Sequence, residues 1–385
     1  MTGSAEAGQC ERRADGPGSA HWREKAEHAQ EAVLPSGRAV VSCSAPLGVG
    51  GLGRHMKEVV DALERSEQPT VCICGSTRES EPHALRRKPG IPDPAKLLSR
   101  LPIPLSPGLR TRNFMVEFDA YAARHLPAAE HLIAFNGQAL TQFGAARRAH
   151  YKSLSLISAN SHLRRVARQH AQAHRQYPLE GSWTTRLVRR NLTEYAQADR
   201  IYVASEYTRG SFIEEGFRDQ LLSRLQFTPD PRYEPDGSPQ TSGTFNIVYV
   251  GSLTVAKGVP LLVDAVRRLP HADLRLVLVG GWTTRGMRRF IQTACAEDHR
   301  ISSGPGDPLP HLRAARLYVH PSYEDGFAYA PAEALACGVP VIVSEDTGMK
   351  ELIDPRGNGL ILPTGDLSAL TEAIAAAYRG EIFRR

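Results

Sequence analysis

Stretches with the apolar pattern of strands alternate with stretches of helical periodicity along nearly the whole chain, and the alternation breaks once. Neighbouring parallel strands need a crossover connection, usually a helix, so such alternation points to parallel sheets covered on both faces. The break is the Pro-, Gly- and Ser-rich stretch from Thr228 to Gly243, after which strand and helix start afresh. At 385 residues the chain has length enough for two domains of ordinary size. The expected organisation is a disordered tail over residues 1–37, a first α/β domain over 38–228, a linker over 229–243 and a second α/β domain over 244–385. Both domains are expected to be doubly wound, and their sheets to enclose a cleft. In such sheets ligands bind beyond the carboxyl ends of the strands.

In the first domain, strands are expected at 39–43, 70–74, 131–135, 153–157 and 201–204. The helix expected at 54–65 carries Met56, Val59, Val60 and Leu63 at three- and four-residue spacing, the mark of one buried face. Further helices are expected at 114–124, 139–149, from Leu163 onward, up to Ala198, and at 206–215. Pro82 to Pro107 reads as a long proline-rich surface excursion, and a short helix is expected around Trp22 to Ala32 in the tail. The second domain should have strands at 245–250, 274–279, 317–320 and 339–344, with helices at 259–269, 285–296, 331–336 and 368–379.

Composition narrows the function. No run of about 18 uninterrupted apolar residues occurs and the first 38 residues are polar, so neither a membrane span nor a secretory leader is read and a cytoplasmic location is expected. Cysteines 10, 43, 72, 74, 295 and 337 lack the paired spacing of a zinc site, and four of them sit in apolar runs as buried thiols would. Between His83 and Arg200 there are 19 Lys and Arg against 7 Asp and Glu, a local +12 in a chain of net charge +6. This basic stretch suits an anionic acceptor, a nucleotide or, as a second choice, an acidic membrane face. No nucleic-acid reader motif accompanies it, so nucleic acid is not an expected partner.

Three motifs carry the chemistry. Gly48-Val-Gly50-Gly51-Leu-Gly53 follows a strand and opens a helix, where backbone N–H groups can approach a phosphate. In Gly251-Ser252-Leu-Thr-Val-Ala-Lys257-Gly258, a lysine lies just before a helix, beside the N-terminus where a diphosphate would gather. The third runs from Pro321 to Ser344 and sets two acids, Asp325 and Glu333, eight positions apart, one in a Gly-containing loop and one in an otherwise apolar helix. An unpaired charge there is costly, so a hydroxyl-rich ligand is a reasonable partner for Glu333.

Together, Gly251 to Lys257, the pair Asp325 and Glu333 and the Gly338-Val-Pro340 turn resemble the donor domain of family-4 glycosyltransferases, retaining enzymes of the GT-B fold. The resemblance implies two Rossmann-like domains facing a central cleft, an acceptor domain first and a nucleotide-sugar domain second. It implies that Glu333 binds the nucleotide ribose and that Asp325 sits beside the transferred sugar, with backbone N–H groups from Gly326, Phe327 and Ala328. Lys257 would neutralise the leaving diphosphate, which Gly50 and Gly51 approach from the other domain, and Gly251 and Ser252 would border the donor. His162 falls where the family places a His facing the donor sugar. Two positions depart from the family pattern: Ser252 stands where an Arg is usual, and Asp325 stands in place of the first Glu. The closing helices that return to the first domain are also short.

The activity implied is retaining transfer of a hexose-type sugar from a nucleotide-diphosphate sugar to an acceptor, a small polar metabolite or natural product, with no cofactor and no metal. Two rival readings stand beside it. One is an NADP-dependent oxidoreductase using the glycine loop, with Arg78 on the 2′-phosphate. The other is an inactive sugar-nucleotide-binding protein.

Overall fold

A computed structural model of the chain describes residues 34–75, 84–86, 107–225, 229–235, 243–355 and 357–383. The expected helix at 22–32, Arg78 and most of the proline-rich excursion lie outside the described residues. In the first domain seven strands form one parallel sheet: β1 (Ala39–Cys43), β2 (Thr70–Cys74), β3 (Ala84–Arg86), β4 (His131–Phe135), β5 (Ser153–Ser158), β6 (Arg200–Val203) and β7 (Leu222–Arg224). Their order is β3-β2-β1-β4-β5-β6-β7. The helices are α1 (Gly50–Arg65), α2 (Pro107–Arg124), α3 (Leu140–Arg148), α4 (Leu163–Gln176), α5 (Val188–Gln197) and α6 (Glu206–Glu214).

The second domain repeats the plan. Strands β8 (Phe245–Val250), β9 (Leu274–Val279), β10 (Ile301–Gly304), β11 (Leu317–His320), β12 (Val341–Ser344) and β13 (Gly359–Leu362) form a parallel sheet in the order β10-β9-β8-β11-β12-β13. Its helices are α7 (Val259–Arg267), α8 (Arg285–Glu297), α9 (Pro308–Arg313), α10 (Tyr329–Ala336) and α11 (Leu367–Tyr378). Every residue of β1, β4, β11 and β12 is buried, as strands covered on both faces must be. This is the doubly wound arrangement expected from the alternation.

Strands β3, β7, β10 and β13, with three or four residues each, were not expected from the sequence; all four lie at the outer edges of their sheets. An edge strand is buried on fewer sides and so carries a weaker apolar signal. Residues 229–235, within the expected linker, are packed against the domains. Tyr233 is buried in the apolar core, and Pro235 lies against Gly338. One apolar cluster runs from Val41 and Met56 of the first domain through Phe327 and Tyr329 to Tyr318 and Ala332 of the second, so the two domains share packed surface.

Candidate active site between the domains

Each sheet order reverses direction at one point, between β1 and β4 in the first domain and between β8 and β11 in the second. The loops leaving those four strands form a crevice, where ligands of such sheets bind. Helix α1 begins at Gly50, four residues earlier than expected, so the end of the glycine loop is the helix's first turn. A Cβ placed on Gly50 or Gly51 would meet nothing within 4 Å. The first turn of α1 therefore presents bare backbone, and its unpaired N–H groups and positive dipole end favour an anion.

Across from it stand Lys257 and Asp325. The Lys257 ammonium lies 2.5 Å from Oδ2 of Asp325 and 3.4 Å from the carbonyl of Glu324. The ring Nε2 of His320, at the end of β11, is 3.1 Å from the same Oδ2. Burial by itself would raise the Asp325 carboxyl, but the Lys257 ammonium and the His320 ring hold it well below the usual carboxylate range. The backbone is fixed as firmly: Asp325 donates its N–H to Asp346 and accepts from Gly348. Gly258 explains how the lysine turn comes so close. Its φ is +69°, and any Cβ there would lie 1.9 Å from the carbonyl oxygen of Pro321.

Glu333, on α10, is 2% exposed and pairs with Arg54 of α1, in the opposite domain. Burial raises its carboxyl, and the guanidinium of Arg54 opposes that rise. Tyr329, one turn earlier on α10, donates its hydroxyl to Glu58 of α1 at 2.9 Å, and the Arg54 guanidinium sits 5.0 Å from its ring. Thus α1 and α10 face each other directly.

His162 does not join this group, contrary to expectation. It caps α4, its Nδ1 accepts from the N–H of Arg164, and its 1% exposed ring packs against Tyr195, Phe212 and Phe217. Burial in this aromatic box lowers the imidazole to about 4. Gly326 has a second role beside the expected one. A Cβ there would lie 1.9 Å from the carbonyl of Ala159, and its own carbonyl accepts from the hydroxyls of Ser205 at 2.6 Å and Thr208 at 3.2 Å. It is a contact between domains. Phe327 is buried beside Tyr329, and Ala328, at φ +66°, caps α10. Gly251 turns beneath the Tyr249 hydroxyl at φ +145°.

A cavity of about 440 Å³ opens between the domains, with Ser252 and Lys257 on one wall and Asn136, Gln138 and Trp183 on the other. The loop after β4 is held by buried charge: Glu194 accepts from the N–H groups of Gly137, Ala139 and Leu140, Asp119 accepts from those of Thr141 and Gln142, and Arg190 pairs with both acids. Sequence reading missed Asn136, Gln138, Arg54 and His320. The signal available for Asn136 to Gln138 was their place just past a strand at the sheet's centre.

Comparison with known proteins supports the same assignment for the second domain. Residues 235–385 match the family model described as Glycosyl transferases group 1. The second domain is a glycosyl transferases group 1 domain. This domain carries Lys257, Asp325 and Glu333 together. The chain is 29% identical over 145 residues to the O-antigen chain mannosyltransferase B of Escherichia coli, a match covering 36% of this chain and 38% of that protein. It spans under half the length of the curated relatives it matches. Over nearly its whole length the fold resembles sucrose-phosphate synthase from Thermosynechococcus elongatus, with a TM-score of 0.66, 19% identity and coverage of 91% of this chain and 92% of that one. It likewise resembles Anabaena HepE in complex with UDP and glucose, with a TM-score of 0.61, 16% identity and coverage of 89% and 90%. The fold is GT-B.

Proposed function

We propose that the chain is a metal-independent, retaining glycosyltransferase of family 4 that moves a hexose-type sugar from a nucleotide-diphosphate sugar to a small polar metabolite or natural product. The observation that carries this reading is the position of the Lys257–Asp325 pair, with Glu333 nearby, across a crevice from the bare first turn of α1. Lys257 and the helix N-terminus supply positive charge where the diphosphate departs. Asp325, kept ionised, lies where an oxocarbenium-like sugar would develop charge. In the transfer, the C1–O bond to the diphosphate breaks and a C1–O bond to the acceptor forms on the same face. The acceptor proton passes to the departing phosphate oxygen. Side-chain cations do the work a divalent ion would otherwise do.

Support for a nucleotide-sugar donor comes from HepE, whose structure holds UDP and glucose. The half-buried amides of Asn136 and Asn160 on the cavity wall suit a hydroxylated acceptor of small size. Among the described residues no helix is long and apolar enough to cross a membrane, and we place the reaction in the cytoplasm. The oxidoreductase reading shares the glycine loop, and its Arg78 lies outside the described residues; the Lys257–Asp325 pair across the crevice favours the sugar-transfer reading.

The test is a panel of UDP-, GDP-, ADP- and dTDP-sugars, read by thermal protection and by release of nucleoside diphosphate, with and without EDTA. Protection by one donor, EDTA-insensitive release and a product whose anomeric configuration matches the donor by NMR are expected. Absence of both protection and release across the panel would refute the reading.

A further inference from the structure

We propose that Arg54 is a donor-binding residue, carrying a guanidinium from the first domain onto the diphosphate that Lys257 meets from the second. The inference rests on the nucleotide-sugar reading above and adds a residue to it.

Arg54 lies four positions after Gly50 on α1, so the two share one face of the helix. Helical side chains lean toward the N-terminus, which brings the Arg54 stem back over the turn where Gly50 and Gly51 leave open space. The guanidinium reaches the facing domain: its Nη1 donates to Glu333. That is one of five N–H donors, and its side chain is 28% exposed while that of Glu333 is 3% exposed. Glu333 is therefore buried beneath a guanidinium that keeps part of its own surface exposed. The Tyr329 ring approaches the guanidinium carbon at 5.0 Å, which helps fix its plane.

Charge balance calls for this residue. A nucleoside diphosphate brings about two to three negative charges, and Lys257 already faces Asp325 at 2.5 Å. The rest of the lysine loop offers only hydroxyls to the cavity, those of Ser252 and Thr254. The α1 dipole contributes roughly half a charge, and the first turn of α1 holds no acid to offset it. Arg54 can keep one N–H on Glu333 while its other edge forms the paired N–H to oxygen bonds that guanidinium makes with phosphate. It would thereby tie the ribose-binding acid and the diphosphate into one network spanning both domains.

The experiment measures affinities of UDP, GDP, uridine and guanosine for the full chain and for Arg54→Gln and Arg54→Lys, by calorimetry or competition. In Arg54→Gln the ratio of diphosphate to nucleoside affinity should fall about tenfold or more, and Arg54→Lys, which keeps the charge but not the fork, should restore only part of it. An unchanged ratio overturns the proposal. So does an equal loss for diphosphate and nucleoside, because that would assign Arg54 to holding Glu333 alone. If the unaltered chain binds neither UDP nor GDP, the nucleotide-sugar reading fails and this proposal falls with it.

Discussion

Glu324 of the second domain accepts hydrogen bonds from the backbone N–H of Ser161, at 3.0 Å, and from its hydroxyl, at 2.7 Å, in the first domain. Its neighbour Asp325 turns the other way, to Lys257. One loop thus presents an acid to the crevice and anchors itself to the facing domain through the residue before it. The two tasks are coupled, because the anchor sets where Asp325 can stand.

Replacing Glu324 by Ala removes a buried acceptor and leaves the Ser161 donors without it. The cost expected is about 2 kcal/mol of stability, together with weaker registration of the two domains. Urea unfolding and turnover should both report it, with turnover falling further than the stability loss alone explains at temperatures where the variant is fully folded. A variant with the original midpoint and full turnover would refute the anchoring role.

Lys257→Ala should lower turnover by about a thousandfold. It should also change the pH profile. With Lys257 present, Asp325 stays ionised through the working range; without it, only the His320 ring opposes the burial and the carboxyl rises. The acid limb of the variant's rate should then lie at higher pH than the parent's. Rates collected over pH 5–9 decide it, and near-parental turnover would remove Lys257 from the mechanism.

The central strands, the helices behind them and the chemistry-bearing loops were legible because fully buried strands write continuous apolar runs and amphipathic helices write a 3.6-residue period. β1, β2, β4, β8, β9 and β11 were expected at the bounds observed. The start of α1 was misplaced because glycines disfavour helices by propensity, whereas here the absence of side chains keeps the turn open. Lys257 and Asp325 were legible as a pair of motifs, since each stands just past a strand. The partners that complete the site were not. Arg54, His320 and Glu324 look like ordinary surface or loop residues in sequence; the meeting of the two domains gives Arg54 and Glu324 their partners, and the turn of the loop after β11 brings Asp325 back to His320. His162 misled for the complementary reason: its place past a strand end suits a ligand, but the aromatic residues that enclose it come from α5, α6 and the turn after α6.

Gly326 and Gly50 should respond oppositely to Ala. At Gly326 the new methyl would collide with the carbonyl of Ala159, so the domains must separate or distort, at a cost of about 1–3 kcal/mol. At Gly50 the methyl meets no atom of the chain, and the φ of +66° costs about 1–2 kcal/mol of backbone strain. The methyl would, however, stand where the phosphate is expected. Gly326→Ala should therefore enlarge the radius of gyration in small-angle scattering, whereas Gly50→Ala should leave it unchanged and weaken UDP or GDP binding. Unaltered nucleotide binding in Gly50→Ala would move the phosphate away from α1.

His162 supplies a test of the correction to its role. Its imidazole is lowered by burial from 6.5 to about 4, so between those values the unfolded chain binds a proton that the folded chain refuses. The corresponding stability is fully present above pH 6.5 and is lost as pH falls toward 4, amounting to about 3 kcal/mol. His162→Asn keeps an oxygen that can accept from the N–H of Arg164 at the start of α4, but it removes the titrating ring. The variant should be less stable at neutral pH because the aromatic box loses a member. Its stability should fall less steeply between pH 6.5 and 4, with about one proton fewer taken up on unfolding. His55 and His170, both buried and lowered to about 3, retain their own share of the slope. Measured by denaturant midpoints across that range, an unchanged slope would mean that His162 is not held neutral by the fold. Turnover of the folded variant should stay within a fewfold of the parent, and a collapse comparable to that of Lys257→Ala would return His162 to the reacting sugar.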